Sequence, residues 1–144
     1  MIIVADTSAL YAAFYSAAAE YVAAAQIVAT EALVISPLVV AELDHLVHRD
    51  HGFPTAMRVL EALIARMEEG QYRLAEVKPV DLRRALEVRQ KYEGLRLDVA
   101  DAVGVVLADR YKTDRIFTLD QRDFRAIAPL TPGFDAFRIL PADC

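Results

Sequence analysis

The sequence predicts an α/β fold whose sheet is largely parallel. Short apolar runs, each about as long as a β-strand, alternate with longer stretches in which apolar residues recur at helical spacing. The connections between the runs are long enough to hold helices, as parallel strand pairing requires. We therefore expect neighbouring strands to be joined by right-handed crossovers.

The amino-terminal part of the chain contains two predicted strands, each followed by helical segments. Residues 1–5 form an apolar run typical of a buried strand, and the segments 8–15 and 20–29 suit helices. Leu33–Ile35 is the second apolar run. Ser36 and the proline after it then indicate a helix start, because serine is a favoured N-cap and proline fits the first helical position.

The rest of the chain continues the alternation. Gly52 and Pro54 predict a break, after which the spacing predicts an amphipathic helix over 55–69. The remaining predicted strands are 72–77, 115–119 and 137–140. The remaining predicted helices are a charged amphipathic segment, 80–92, and a segment that is apolar almost all round and should be buried, 99–108.

Length and composition fit one globular domain over residues 1–144. The chain is 56% hydrophobic, which favours a packed core over disorder. No apolar run has the 18 or so residues of a membrane helix, and the start of the chain lacks the basic segment of a signal peptide. We therefore expect a cytoplasmic protein with no membrane contact. Cys144 is the only cysteine, which excludes an intrachain disulfide and a cysteine metal site.

The net charge of −5 argues weakly against a nucleic-acid-binding protein. The charges are unevenly distributed, however. Residues 1–48 contain five acids and no lysine or arginine, so all 16 basic residues lie in residues 49–144. Acids gathered at a metal site would increase the negative total without repelling RNA once cations bind.

Five acids occupy positions that could converge on one pocket. Asp6 and Asp120 follow predicted strands, and ligands of open α/β sheets bind beyond the carboxyl ends of the strands. Glu42 lies in the helix after the second strand, and Asp98 and Asp101 lie at the start of the buried helix. An all-oxygen pocket of this kind suits Mg²⁺ or Mn²⁺.

Each acid also has a simpler interpretation when it is taken alone. Asp6, Asp98 and Asp120 could each cap the helix that follows, since aspartate is a favoured N-cap. Asp101 is harder to explain in this way, because an uncompensated carboxylate in an apolar helix costs several kcal/mol. Periodicity does not choose between Glu42 and its neighbour Asp44, which lie on opposite flanks of the apolar stripe.

Four segments together are more specific than any single acid. They read DTSAL from Asp6, SPLVVAEL from Ser36, VADA from Val99 and TLDQRDF from Thr118. In this order the segments resemble the PIN-domain family, and within it the VapC-type toxins of bacterial toxin–antitoxin pairs. The resemblance implies a three-layer α/β/α sandwich around a central, mostly parallel sheet of four to five strands.

The resemblance also implies a catalytic, metal-binding set. Asp6, Glu42, Asp101 and Asp120 match the four acids of the family, and this match favours Glu42 over Asp44. Asp98 and Asp123 are less certain ligands, since Asp98 could simply be an N-cap and Asp123 a surface acid. Two hydroxyl residues could support the site by hydrogen-bonding a carboxylate or a metal-bound water: Ser8 and Thr118.

The function implied by the resemblance is hydrolysis of RNA by a Mg²⁺- or Mn²⁺-dependent endoribonuclease, the toxin of a type II toxin–antitoxin system. The implied partners are the RNA substrate, a cognate antitoxin and a second copy of the chain. An alternative is a phosphotransfer or phosphatase α/β protein that uses the same acidic pocket. Phosphatases of the haloacid-dehalogenase type require Asp-x-Asp, however, and Ser8 stands at the second position.

Two further groups of residues have no assigned partner in the sequence. The basic residues near Asp120 are candidates for phosphate contacts: Arg110, Lys112, Arg115, Arg122 and Arg125. The aromatic residues of the first two helices could belong to the core or to a surface for a dimer mate or an antitoxin: Tyr11, Phe14, Tyr15 and Tyr21.

Overall fold

A parallel five-stranded sheet is the centre of the protein. The computed structural model describes residues 2–15 and 20–144, and the side chains of all of these except residues 15, 20 and 21. The strands are β1 (Ile3–Ala5), β2 (Leu33–Ile35), β3 (Tyr72–Leu74), β4 (Arg115–Phe117) and β5 (Arg138–Leu140). Their order is β3-β2-β1-β4-β5 and every neighbouring pair is parallel, which confirms the predicted pairing.

Helices cover both faces of the sheet. They are α1 (Thr7–Tyr15), α2 (Glu20–Thr30), α3 (Pro37–His51), α4 (Phe53–Glu68), α5 (Pro79–Lys91), α6 (Val99–Arg110) and α7 (Gln121–Ala126). Successive strand side chains point to opposite faces. Ile3 and Ala5 therefore join an apolar cluster with α1 to α4, whereas Val4 joins a second cluster with α5 to α7. The molecule has the three layers that the resemblance implies.

The observed elements differ from the predicted ones at several boundaries. Helix α4 begins at Phe53 and includes Pro54, because proline is tolerated in the first turn of a helix, where its missing N–H has no partner. Each strand has only three residues, so the predicted strands 72–77, 115–119 and 137–140 are too long. Helix α7 is not predicted by the apolar pattern, since six residues are too few to show helical periodicity.

The structure shows whether two of the aromatic side chains on the first helices belong to the core. Tyr11 and Phe14 are half-buried and pack against the apolar cluster of α1 to α4. The side chains of Tyr15 and Tyr21 lie outside the described residues. None of the described helices combines the length and the apolar character needed to cross a bilayer.

Two ion pairs fix α6 against α5. The Arg84 guanidinium donates to Asp109 at 2.8 Å, and Arg110 pairs with the buried Asp81 at 2.6 Å. The backbone N–H of Lys78 and the Arg110 guanidinium hold the pKa of Asp81 below its usual value. Both ion pairs join the first half of α5 to the end of α6, so the two helices run antiparallel. The start of α6 therefore lies beside the end of α5.

The start of α3 provides a test of the local structure. The Val39 N–H donates to the Ser36 hydroxyl at 3.2 Å, as an N-cap serine requires, and Ser36 is buried. We expect Ser36→Ala to lower the free energy of unfolding by about 1 kcal/mol, because a helix-terminal N–H loses its partner. Urea denaturation measures the change. Ser36→Thr is the control, since it keeps the hydroxyl; an equal loss in both variants would contradict the capping assignment.

Candidate metal centre

The carboxyl ends of the parallel strands place several polar side chains at one edge of the sheet. Asp6 directly follows β1, and Thr118 directly follows the neighbouring strand β4. The Asp6 N–H donates to the Phe117 carbonyl at 2.9 Å, which continues the ladder between the two strands by one residue. The two side chains are therefore positioned by the backbone of the sheet.

Two hydroxyls bind the Asp6 carboxylate. Thr118 Oγ1 donates to Asp6 Oδ2 at 2.7 Å, and Ser8 Oγ donates to the same oxygen at 3.0 Å. The hydroxyl oxygens in turn accept backbone N–H groups, Thr118 from Asp120 and Ser8 from Leu119, each at 3.0 Å. Because each hydroxyl has one proton and accepts an N–H from elsewhere, its proton is directed at Asp6. Asp6 Oδ2 is thereby held by two hydroxyl donors.

Three further carboxylates form a close group. Asp101, Asp120 and Asp123 each offer an oxygen, and these oxygens lie within 4.8 Å of one another. All three residues are half-buried, so the surface position favoured for Asp123 from the sequence is not what the structure has. Among the residues that the structure describes, no other set of three metal-ligating side chains meets the same distance.

Helix α7 brings Asp120 and Asp123 together. Asp120 is the N-cap of this helix, and its Oδ1 accepts the Asp123 N–H at 3.2 Å. The capping interpretation of Asp120 is therefore correct, and it is compatible with a ligand role because the helix N–H takes only one of the two carboxylate oxygens. Phe124 is buried and packs its ring edge-on against Phe137, with ring centroids 6.0 Å apart, which anchors the helix.

The acids raise each other's pKa. Burial, the negative charge of Asp6 and a hydrogen bond shared with Asp6 raise the pKa of Asp101 to about 8, with smaller contributions from Asp120 and Asp98. Burial and the neighbouring Asp120 likewise raise the pKa of Asp123, which the positive charge of Arg122 partly offsets. At neutral pH the group retains a proton that ordinary carboxyls lose. A divalent cation would replace that proton, so the donor set fits a hard metal ion.

An apolar floor lies under the acids and accounts for their burial. A small cavity of about 10 Å³ is bordered by Asp6 and Asp101. Its other walls come from β1, β4, α6 and α7: Val4, Ala5, Ile116, Ala100, Gly104 and Phe124. Gly104, one turn after Asp101, is a residue that the sequence reasoning missed. The signal was an isolated glycine inside an apolar helix, where glycine costs about 1 kcal/mol relative to alanine.

Asp98 occupies the N-cap position of α6 without capping it. Its backbone is extended as an N-cap requires, but its side chain accepts no helix N–H and is exposed. Its negative charge still raises the pKa of Asp101 and of Asp123. Asp98 is therefore close enough to the group to act on it electrostatically, although it is outside the set within 4.8 Å.

Glu42 stands apart from the close group. It lies in the second turn of α3 and is exposed, and so is Asp44, with the buried Leu43 between them. Helix α3 follows β2, which neighbours β1, so its first turns are at the same edge of the sheet as Asp6. The geometry does not select Glu42 over Asp44, and the ligand role of Glu42 stays a prediction.

Comparison with known proteins identifies the family of this chain. The family model described as "PIN domain" matches residues 3–130. The chain belongs to the PIN-domain family. A curated PIN-family relative, "Ribonuclease VapC26" of Mycobacterium tuberculosis, is 39% identical over 141 residues, which are 96% of this chain and the whole of the relative.

Solved structures share the PIN fold at lower identity. VapC20 of M. tuberculosis, described as a Sarcin-Ricin loop cleaving toxin, has a TM-score of 0.74 at 20% identity and covers 96% of this chain and 99% of its own. VapBC2 of Rickettsia felis, bound to a promoter DNA fragment, scores 0.70 at 17% identity, with coverages of 96% and 98%. A toxin–antitoxin complex from Klebsiella pneumoniae scores 0.61 at 20% identity, with coverages of 87% and 92%.

The raised pKa of Asp101 makes a prediction for the metal-free PIN domain. An unfolded aspartate titrates near 4, and folded Asp101 near pH 8. Between these values the folded state holds a proton that the unfolded state has lost, so stability falls as the pH rises through this window and levels off above it. Asp101→Asn should be more stable than the natural protein at pH 8 in EDTA, and its stability should depend less on pH.

Urea denaturation between pH 5 and pH 9 measures this difference. Asp44→Asn, which removes an exposed acid outside the group, is the matched control and should keep the pH dependence of the natural protein. If Asp101→Asn and Asp44→Asn behave alike, the repulsion among the acids is not what the structure indicates.

The hydroxyls on Asp6 make a second prediction. Removing both in Ser8→Ala/Thr118→Val leaves Asp6 Oδ2 without its two donors, so the carboxylate is no longer held in one orientation. We expect the affinity for Mn²⁺ to fall about 10- to 100-fold, the usual cost of losing an outer hydrogen bond to a metal ligand. Titration calorimetry measures it. Thr30→Val, whose hydroxyl bonds only the Gln26 carbonyl on exposed α2, serves as the control and should leave the affinity unchanged.

Proposed function

We propose that this protein is a Mg²⁺- or Mn²⁺-dependent endoribonuclease and the toxin of a type II toxin–antitoxin pair. The observation that carries the proposal is the convergence of Asp6, Asp101, Asp120 and Asp123 at the carboxyl edge of a PIN-family sheet. A relative of nearly the same length, which is named a ribonuclease, supports RNA as the substrate class. The proposal treats residues 1–144 as one PIN-like domain, since both apolar clusters pack on a single sheet.

The residues that would hold the cation are Asp6, Asp101 and Asp120, with Glu42 as the fourth acid of the family pattern. Asp123 is an additional candidate on distance, and Asp98 contributes negative charge at the rim. Bound there, a divalent cation would lower the pKa of a water molecule and offset the negative charge of the phosphate under attack. Mg²⁺ and Mn²⁺ are each compatible with this all-carboxylate set.

The chain's own residues prepare this chemistry. Ser8 and Thr118 hold one oxygen of Asp6, so that its other oxygen has a fixed direction. Asp123 holds Asp120 in the same way through its backbone N–H. Asp101 retains a proton when no cation is bound and would release it when one enters, which keeps the buried group from carrying uncompensated charge.

The proposed partners follow from the relatives. The names of the similar proteins describe a VapC ribonuclease and toxin–antitoxin complexes. We propose that a cognate antitoxin captures this protein in the cytoplasm and that the chain forms a homodimer. Co-expression with the product of any short reading frame next to the gene, followed by light scattering, would test both; a monomer that captures no such partner would contradict them.

RNA cleavage tests the proposed activity. The protein, purified free of any antitoxin, should cut total RNA in Mn²⁺ and should be inactive in EDTA. Asp6→Asn and Asp101→Asn should each lower the rate by about 100-fold or more, because the loss of a ligand should cost at least as much as the loss of its supporting bond. Sequencing the new ends should show 5′-phosphates.

The control for these variants is Asp44→Asn, which removes an exposed acid of α3 and should keep full activity. Glu42→Gln distinguishes the two neighbouring acids of that helix: it should lose activity where Asp44→Asn does not. Full cleavage by both Asp6→Asn and Asp101→Asn, or cleavage that persists in EDTA, would contradict a carboxylate-held metal.

A further inference from the structure

RNA binding beside a metal centre is stabilised by basic side chains nearby, because these side chains contact the backbone phosphates. Four of the five basic residues near Asp120 in sequence are not available for this. Arg110 pairs with Asp81 at 2.6 Å, Arg125 pairs with Asp143 at 2.6 Å, and Lys112 approaches Asp109 at 3.5 Å. Arg115 is the first residue of β4 and so lies at the amino edge of the sheet, away from the acids.

Arg122 is the member of this set that remains. It is exposed, and it has no hydrogen bond or ion pair to any residue in the described parts of the chain. It lies in the first turn of α7, between Asp120 and Asp123, both of which belong to the close carboxylate group.

The backbone of Arg122 is held in place. The Asp123 N–H is bonded to Asp120 Oδ1 on one side, and Phe124 is buried against Phe137 on the other. The Arg122 side chain starts from a fixed backbone next to the metal centre, and it lies in solvent without a carboxylate partner. It is therefore ready to bind an anion. The neighbouring acids form no ion pair with it in the part of the chain that the structure describes, and one oxygen of each acid lies within 4.8 Å of the others.

We propose that Arg122 binds a backbone phosphate of the RNA beside the carboxylate group. The inference rests on the proposed function, and it adds the residue that would hold the RNA backbone beside the carboxylate group. A guanidinium offers two parallel N–H donors that match two phosphate oxygens, and such charge-assisted pairs are stronger than neutral hydrogen bonds. Contacts of this kind position the nucleic acid without reading its sequence.

Arg96 is another exposed arginine close in sequence to the acids, and it forms no ion pair or hydrogen bond through its side chain within the described residues. It lies two residues before Asp98, in a left-handed backbone conformation with φ of 53°. Asp98 is outside the close group, however, so Arg96 is adjacent to the rim and Arg122 to the carboxylates themselves. We therefore assign the phosphate contact to Arg122 and use Arg96→Ala as a comparison.

The test measures cleavage of an RNA oligonucleotide that spans a cut site mapped with the natural protein. We expect Arg122→Ala to raise KM about 10- to 100-fold, the usual range for losing hydrogen bonds to a charged group. The slope of log kcat/KM against log salt concentration should become shallower by about 0.7, because one fewer counterion is released from single-stranded RNA. Arg122→Lys should keep the salt slope and recover part of the loss in KM, since it keeps the charge but not the two-pronged geometry.

Two controls separate a phosphate contact from damage to the fold or to the metal centre. Arg83→Ala removes an exposed arginine next to Arg84, at the far end of the α5–α6 pair, and should leave KM and the salt slope unchanged. Arg96→Ala should have a smaller effect than Arg122→Ala. The affinity of Arg122→Ala for Mn²⁺, measured by calorimetry in the absence of RNA, should not fall.

The outcomes distinguish this inference from the proposed function. If the natural protein cuts RNA and Arg122→Ala matches Arg83→Ala in both KM and salt slope, the assignment of Arg122 is wrong while the ribonuclease proposal stands. If Arg122→Ala loses Mn²⁺ affinity as well, the residue supports the metal centre and does not bind phosphate. If the natural protein neither binds nor cuts RNA, the proposed function fails and the inference fails with it.

Discussion

Mutual repulsion among buried carboxylates is the constraint on which the site depends. Burial over an apolar floor and the negative charge of Asp6 raise the pKa of Asp101, and Asp120 adds to the repulsion. Folding alone does not repay the cost of bringing these acids together, since an isolated buried charge is strongly unfavourable. The arrangement is understandable if a cation is part of the working protein, because the cation turns the repulsion into attraction.

The fold maintains this unfavourable arrangement through rigid supports. The ladder between β1 and β4 is extended to Asp6, and the hydroxyls of Ser8 and Thr118 hold its carboxylate. The ion pairs at the far end of α5 and α6 fix the register of the helix that carries Asp101. Stabilising contacts thus surround the acids, whereas the repulsion among the acids lowers the free energy of unfolding. This is common where function and stability compete.

Local signals in the sequence predicted much of this structure and left specific gaps. Apolar runs and the Ser36 cap predicted the strands and the start of α3, because these features depend on near neighbours. Helix α7 was too short to show periodicity, so only the family resemblance, and no local pattern, indicated Asp123 as a less certain ligand. The pairing of Arg110 with Asp81 joins distant parts of the chain, and no local pattern separates it from the unpaired Arg122.

The most direct test of a cation-dependent carboxylate centre is the number of protons released when Mn²⁺ binds. Calorimetry in buffers of different ionisation enthalpy measures this number. With the pKa of Asp101 at about 8, binding at pH 7 should release about one proton per ion, and the release should disappear well above pH 8. Asp101→Asn should release none. Binding at pH 7 without proton release, or the same release in Asp101→Asn, would contradict the account.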